Sequence, residues 1–232
     1  MNYVIVNGVN SNTLNGLLIS ELPPISKPKM RVETTEIDGR DGDINDHLGY
    51  QAYEKNMKIW LYGNYDINAI IEYFGSGKTV VFSNEPDKIY NVEVIDSIDF
   101  ERLVLFRIAD IKFHVQPFKY LLNEQPVELD ITTETSLVVN NVGLEKSKPI
   151  ITLYGSGVVE IQINTIAAFQ INIDDSYVTV NSMIEEAYKD NISTLKNRQM
   201  TGEFPILSVG DNTITWTGNL TKTVIEPHSR WL

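Results

Sequence analysis

The sequence predicts a mainly β protein: an N-terminal β domain with one helix, then a C-terminal antiparallel β-sandwich. Three observations predict this. Short runs rich in Val, Ile, Thr, Tyr and Phe recur along the chain, bounded by Gly, Asn, Asp or Pro. A single segment carries apolar residues at helical spacing. The texture changes across residues 121–135, which contain Glu124-Gln-Pro126 and read as a linker. Beyond it Asn, Thr, Ile and Val dominate, so the expected domains are 1–131 and 132–232.

The elements follow in order. Tyr3–Val6 reads as a short edge strand and Met30–Ile37 as an imperfectly alternating one. In Tyr53–Tyr62, alternation puts Met57, Ile59 and Leu61 on one face. Residues 66–74 read as the helix, with Asp66 as N-cap and Ile67, Ile70, Ile71 and Phe74 on one stripe. Gly75 fits the position after the helix and Gly77 a turn. Strands follow at 79–83 and 88–95, around a Pro86-Asp87 turn. Residues 103–118 read as a long strand, with Leu103, Leu105, Arg107, Ala109, Ile111, Phe113 and Val115 on one face; Pro117 is expected to end it. The C-terminal half reads as strands at 136–142, 149–154, 157–164, 166–173, 176–181 and 213–217, with Asp174-Asp-Ser176 as a hairpin turn.

Composition removes several function classes. Acids outnumber bases, 31 against 19, for a net charge of −12. The excess is spread over both halves and opposes non-specific attraction to nucleic acid. There is no cysteine, hence no disulfide, thiol nucleophile or cysteine metal site. The first residues lack the basic and apolar regions of a signal peptide, and no run approaches the ~20 apolar residues of a membrane helix. The expectation is a soluble protein made in a cytoplasm.

Four motifs invite chemistry. Gly75-Ser-Gly-Lys-Thr79 looks like the end of a phosphate-binding loop, but Glu72 stands where the first glycine belongs. The flanks also run helix-then-strand, the reverse of the phosphate-binding order. It reads as a helix-to-strand connection. Asp38-Gly-Arg-Asp-Gly-Asp-Ile-Asn-Asp-His47 is the densest polar cluster. As an EF-hand it puts Asp41, Asp43 and Asn45 at positions 1, 3 and 5, yet Asp46 replaces the required Gly and Ala52 the required Glu. Two readings stand: a solvated loop, which Gly39 and Gly42 suit, or a divalent-cation site of another kind. His47, His114 and His228 show no metal-ligand spacing, and no nucleophile elbow occurs. A carboxylate pair is the one catalytic device that spacing does not test. The expectation is no enzyme, no cofactor and no metal. In Thr213–Gly218, Ile214 and Trp216 share a face. Trp216 reads as core, with a sugar-stacking platform as its alternative.

Several stretches line up in order with one family. They are Gly39-Arg-Asp-Gly42, the helix with Gly75–Ser83, Glu85-Pro-Asp-Lys-Ile-Tyr90, Val115-Gln-Pro-Phe-Lys-Tyr120 and Phe204–Ile214. Together they resemble the distal tail protein (Dit) family of siphophages and prophages of Gram-positive bacteria, over nearly the whole chain. The family often ends in a proline-arginine-aromatic stretch, where this chain has Pro227-His-Ser-Arg-Trp231. The resemblance implies a tail-tube-like, ring-forming N-terminal domain and a galectin-like or carbohydrate-module-like sandwich. It also implies a place at the virion tail tip or baseplate. Six copies would form a ring, single or stacked in pairs, joining the tail tube protein to the hub or tail-associated lysin. The ring would carry a receptor-binding protein for host adsorption and pass DNA as cargo, with no membrane partner. Asp38, Asp41, Asp43 and Asp46 are then candidates for the interface or channel. The alternative is a carbohydrate-binding module recognising host cell-wall polysaccharide, with Trp216 as glycan contact.

Overall fold

The computed structural model describes residues 1–75, 78–94, 100–131 and 133–232. The turn expected at Gly77, the strand end at Ile95 and the domain start at Thr132 lie outside them. The chain is mainly β, with two α-helices among the described residues. It divides into two compact units, Met1–Leu122 with Leu232, and Asn123–Trp231.

In the first unit come β1 (Val4–Val6), β2 (Val9–Asn10), β3 (Leu17–Glu21), β4 (Met30–Glu36), β5 (Asp43–Tyr50) and β6 (Tyr53–Leu61). They are followed by α1 (Ile67–Gly75), β7 (Thr79–Phe82), β8 (Lys88–Val94), α2 (Phe100–Phe106) and β9 (Ile108–Leu121). An antiparallel sheet runs β2-β1-β7-β8-β9-β6-β3. Its inner face follows the expected alternation. Met57, Ile59 and Leu61 of β6 are buried, as are Ala109, Ile111, Phe113 and Val115 of β9. The α1 stripe of Ile70 and Phe74 joins them, and Phe82 meets Tyr90 and Phe113 edge-on at 5.4 and 5.6 Å. Asp66 caps α1: its Oδ1 accepts from the amides of Asn68 (2.9 Å) and Ala69 (3.2 Å). Gly75 is the last helical residue and not the one beyond.

Two expectations in this unit are corrected. Residues 103–106, read as the start of a strand, belong to α2. A short apolar run fits either period. Arg107, at φ 57°, ends the helix, and its amide donates to Leu103 O at 2.7 Å. Pro117 does not end β9. The ladder passes from Val92↔Val115 to Tyr90↔Lys119, so two residues of β8 span four of β9, and Pro117 lies in this irregularity, where a missing N–H is tolerated.

The second unit contains β10 (Val127–Asp130), β11 (Ser136–Asn141), β12 (Ile150–Ile163), β13 (Ile166–Ile173), β14 (Tyr177–Asn181), β15 (Glu186–Lys189), β16 (Asn191–Leu195), β17 (Met200–Gly202) and β18 (Gly210–Glu226). Within the expected linker, β10 pairs with β18 from Val127↔Ile225 to Asp130↔Lys222. The stretches read as two strands at 149–154 and 157–164 are the single strand β12, and 213–217 is the middle of a strand of 17 residues.

β12 and β18 are long because each serves two layers. Ile150–Tyr154 pairs with β14 on one side and with the end of β18 on the other. Past register shifts at Tyr154/Gly155 and Ser156/Glu160, the same strand pairs with β13 and with the start of β18. Bulges of this kind let a strand change sheets at a corner. The bend needs glycine. A Cβ on Gly155 would lie 2.1 Å from Asn219 O, and one on Gly218 (φ 100°) 2.4 Å from Val158 O. The core between the layers includes Val139, Leu153, Ile161, Ile171, Val180 and Ile225. Asp174–Ser176 is not a hairpin turn. The strands it joins, β13 and β14, pair with different halves of β12, so the connection crosses between layers.

Candidate functional site

The acidic stretch 38–47 is the tip and return strand of a ribbon. Among the described residues β4 and β5 pair only with each other, from Met30↔Tyr50 to Glu36↔Asp43. Asp38 and Asp41 lie in the exposed connection, and Asp43 and Asp46 on β5. Every residue of β4 is exposed. The register sets Glu36 opposite Asp43 and Glu33 opposite Asp46, like-charge pairs that weaken a free ribbon. Apolar side chains also face solvent: Val32, Ile37 and Leu48. A two-stranded ribbon without cover is marginal in water. Among the described residues no group of three or more His, Cys, Asp or Glu is placed to hold a metal ion.

A second exposed feature escaped the sequence reading. Trp60 occupies an outward position of β6 and Tyr62 follows the strand's end, both exposed, and Trp60 pairs with Ile108 across the ladder. Leu61 N donates to Arg107 O (2.9 Å), which ties the end of α2 to the same place. Leu105 and Phe106 of α2 are 69% and 68% exposed. Contiguous apolar surface of this kind marks an interaction site. The signal was the run Leu103-Val-Leu-Phe106, apolar on all sides and so too rich for one buried strand face.

The phosphate-loop resemblance fails on geometry too. The amides of Lys78 and Thr79, which such a loop would offer to a phosphate, donate to Asn7 Oδ1 at 2.9 and 3.1 Å.

A buried polar cluster lies under the first sheet. Lys55 extends the inward face of β6 and is 3% exposed. Its Nζ donates to Pro24 O at 2.7 Å and lies 5.2, 5.6 and 5.9 Å from the rings of Tyr90, Tyr53 and Phe82. Lys119, also buried, meets Glu85 Oε1 at 2.5 Å, and the Tyr90 hydroxyl donates to the other Glu85 oxygen. Burial lowers the Lys55 pKa to about 8, against the pull of Glu85 and with the push of Lys119. Burial, then the Glu85 charge, raises Tyr53 to about 12. Burial and the hydrogen bond to Glu85 push the Tyr90 phenol well above its usual range. With Asn84 Nδ2 on Pro23 O (2.9 Å), Lys55 anchors the segment leading into the ribbon.

Trp216 is half-buried on β18, opposite Ile161 and packed against the second unit's core.

No family model matches the chain, and no curated protein matches it. Solved structures do. The SPP1 Dit protein, described as a paradigm of the hub adsorption apparatus in Gram-positive infecting phages, is 18% identical. It aligns over 97% of both chains with a TM-score of 0.67. A chain of the phage p2 baseplate, in its activated conformation with strontium, is 9% identical over 97% of both chains with a TM-score of 0.50. Among the described residues no helix is long and apolar enough to cross a membrane. Two β-rich units in this order, matched end to end, give the chain the Dit-like fold of a phage distal tail protein.

Proposed function

We propose that this protein is a structural component of a phage tail tip: a distal tail protein whose copies form a hexameric ring between the tail tube and the hub or tail-associated lysin. The observation that carries the reading is the likeness to SPP1 Dit over 97% of both chains. Two surfaces of the first unit support self-assembly. The β4–β5 ribbon leaves backbone donors and acceptors on both outer edges, which a neighbouring copy can pair by strand addition. The Trp60–Phe106 patch offers apolar area. A ring repeats one contact between two unlike patches, and each contact buries roughly 1,000 Å² or more to be stable.

Asp38, Asp41, Asp43 and Asp46 fit the channel or rim better than a dry interface, where four carboxylates are expensive to bury. An acidic wall repels phosphate, so DNA passes without adhering. The same ring would seat a receptor-binding protein.

Solution mass tests the proposal. Light scattering on the full chain gives six times 26.3 kDa, or twice that for stacked rings. The double substitution Trp60→Asp and Phe106→Asp gives monomers with an unchanged far-ultraviolet spectrum. A monomeric wild type across the micromolar range overturns the ring.

A further inference from the structure

The second unit contains a cavity of about 150 Å³ walled by Lys148 ahead of β12, the β14–β15 turn and residues 203–206. Its walls are held before any ligand arrives. Ser182 N donates to Pro149 O (3.1 Å), and Asn181 Oδ1 accepts from Met183 N (2.9 Å), which fixes the turn. Glu203 N donates to Ala168 O (3.0 Å). Leu207 exchanges both backbone hydrogen bonds with Ser147 at 2.9 and 3.0 Å.

The lining is amphipathic. Phe204 and Pro205 supply apolar surface, and Phe204 is half-buried with its inner side on the core. Glu203 and Glu185 supply acceptors and Lys148 a donor. Ser182 also lines the cavity; it is 1% exposed and its hydroxyl has no hydrogen-bond partner. An unpaired buried hydroxyl is a cost that a ligand can remove.

We propose that this cavity binds one neutral, polyhydroxylated ring: a single saccharide unit. The charge balance selects against anions, because two carboxylates face one ammonium that Glu185 already engages at 2.9 Å. Two carboxylates are too few to cage a hard divalent cation, which takes six or more oxygens. A sugar ring has an apolar C–H face for Phe204 and Pro205 and a rim of hydroxyls for Glu203, Lys148 and Ser182. Such a mixture of apolar wall and few polar groups is what ligand pockets present. The cavity, about 150 Å³, suits a single ring better than a chain. This site is independent of the ring and needs no contact between copies.

Saturation-transfer NMR on the full chain tests it. The probes are methyl α-glucoside, methyl β-galactoside and N-acetylglucosamine, with inorganic phosphate as an anionic control. The expected result is saturable millimolar binding of at least one sugar and none of phosphate. Phe204→Ala and the surface substitution Glu203→Gln each weaken it tenfold or more, while Trp216→Ala leaves it unchanged. Thermal melts of each variant confirm folding, and Glu203→Gln decides the matter where Phe204→Ala fails to fold. The proposal is overturned by no binding of any sugar, by binding that Glu203→Gln leaves intact, or by phosphate competing for the site. Light scattering on the same samples keeps this outcome separate from that of the ring.

Discussion

Lys55 is a charged side chain at the fourth inward position of an otherwise apolar strand face. Alternation around Met57, Ile59 and Leu61 pointed to that position, but nothing local disclosed that three aromatic rings and the Pro24 carbonyl would receive an ammonium there. The partners come from β7, β8 and the segment after β3, a long-range convergence that spacing does not encode. The consequence is a pH dependence with a definite sign. Lys55 titrates near 8 in the fold, against 10.5 ordinarily. Between these values the unfolded chain binds more protons, so stability rises with pH. Tyr53, raised to about 12, opposes this once unfolded tyrosine ionises near pH 10. Chemical denaturation should therefore show wild type gaining about 1–2 kcal/mol between pH 8 and 10 relative to Lys55→Met. Parallel pH profiles for the two proteins would exclude this role. Other residues were legible at once. Asp66 caps α1 because a carboxylate before an apolar stripe accepts its first free amides. Lys78 and Thr79 follow a helix, and Asn7 takes their amides.

Elements were legible where periodicity was long and breakers were clear, as for α1, β6, β13 and the lower part of β9. They were missed where one local signal has two outcomes. Leu103–Phe106 fits helix or strand, and tertiary contact through buried Leu103 decided it. Pro117 stops a regular ladder but not an irregular one. The β5 strand reads as loop because Asp, Asn and Gly dominate it, and no buried face constrains it. The four aspartates of the ribbon, two in its tip and two on β5, lead to an element-scale expectation. Substituting Asp38, Asp41, Asp43 and Asp46 with Asn relieves two opposed acidic pairs, each costing about 0.2–1 kcal/mol. Amide exchange in β4 and β5 should slow several-fold, and the light-scattering mass should not change. The β12–β18 corner predicts the opposite sign. Gly218→Ala forces a Cβ against Val158 O at a left-handed position and should lower stability by about 2–3 kcal/mol. Calorimetry reads this as a fall in Tm of about 10 °C for that unit.

At the scale of the molecule, neither the ribbon's surroundings nor the Trp60–Phe106 patch could be inferred from composition, since both depend on which side chains the fold leaves uncovered. Pro126 lies just past Leu122, where the first compact unit ends, and β10 within the expected linker pairs with β18 of the second unit. If the first unit carries assembly, residues 1–122 expressed alone form the ring and 123–232 stay monomeric; the reverse pattern in light scattering would reassign the interface. One feature of the second unit shapes how it comes apart. β12 and β18 supply hydrogen bonds to both layers at once, so neither layer can peel away while the other stays intact. Fraying would begin at the outer strands β10, β11, β16 and β17, and the centre should melt as one cooperative block. Native-state hydrogen exchange should then find the amides of Ile150–Tyr154 and Gly157–Ile163 opening together, with one shared denaturant dependence, though they lie on opposite sides of a corner.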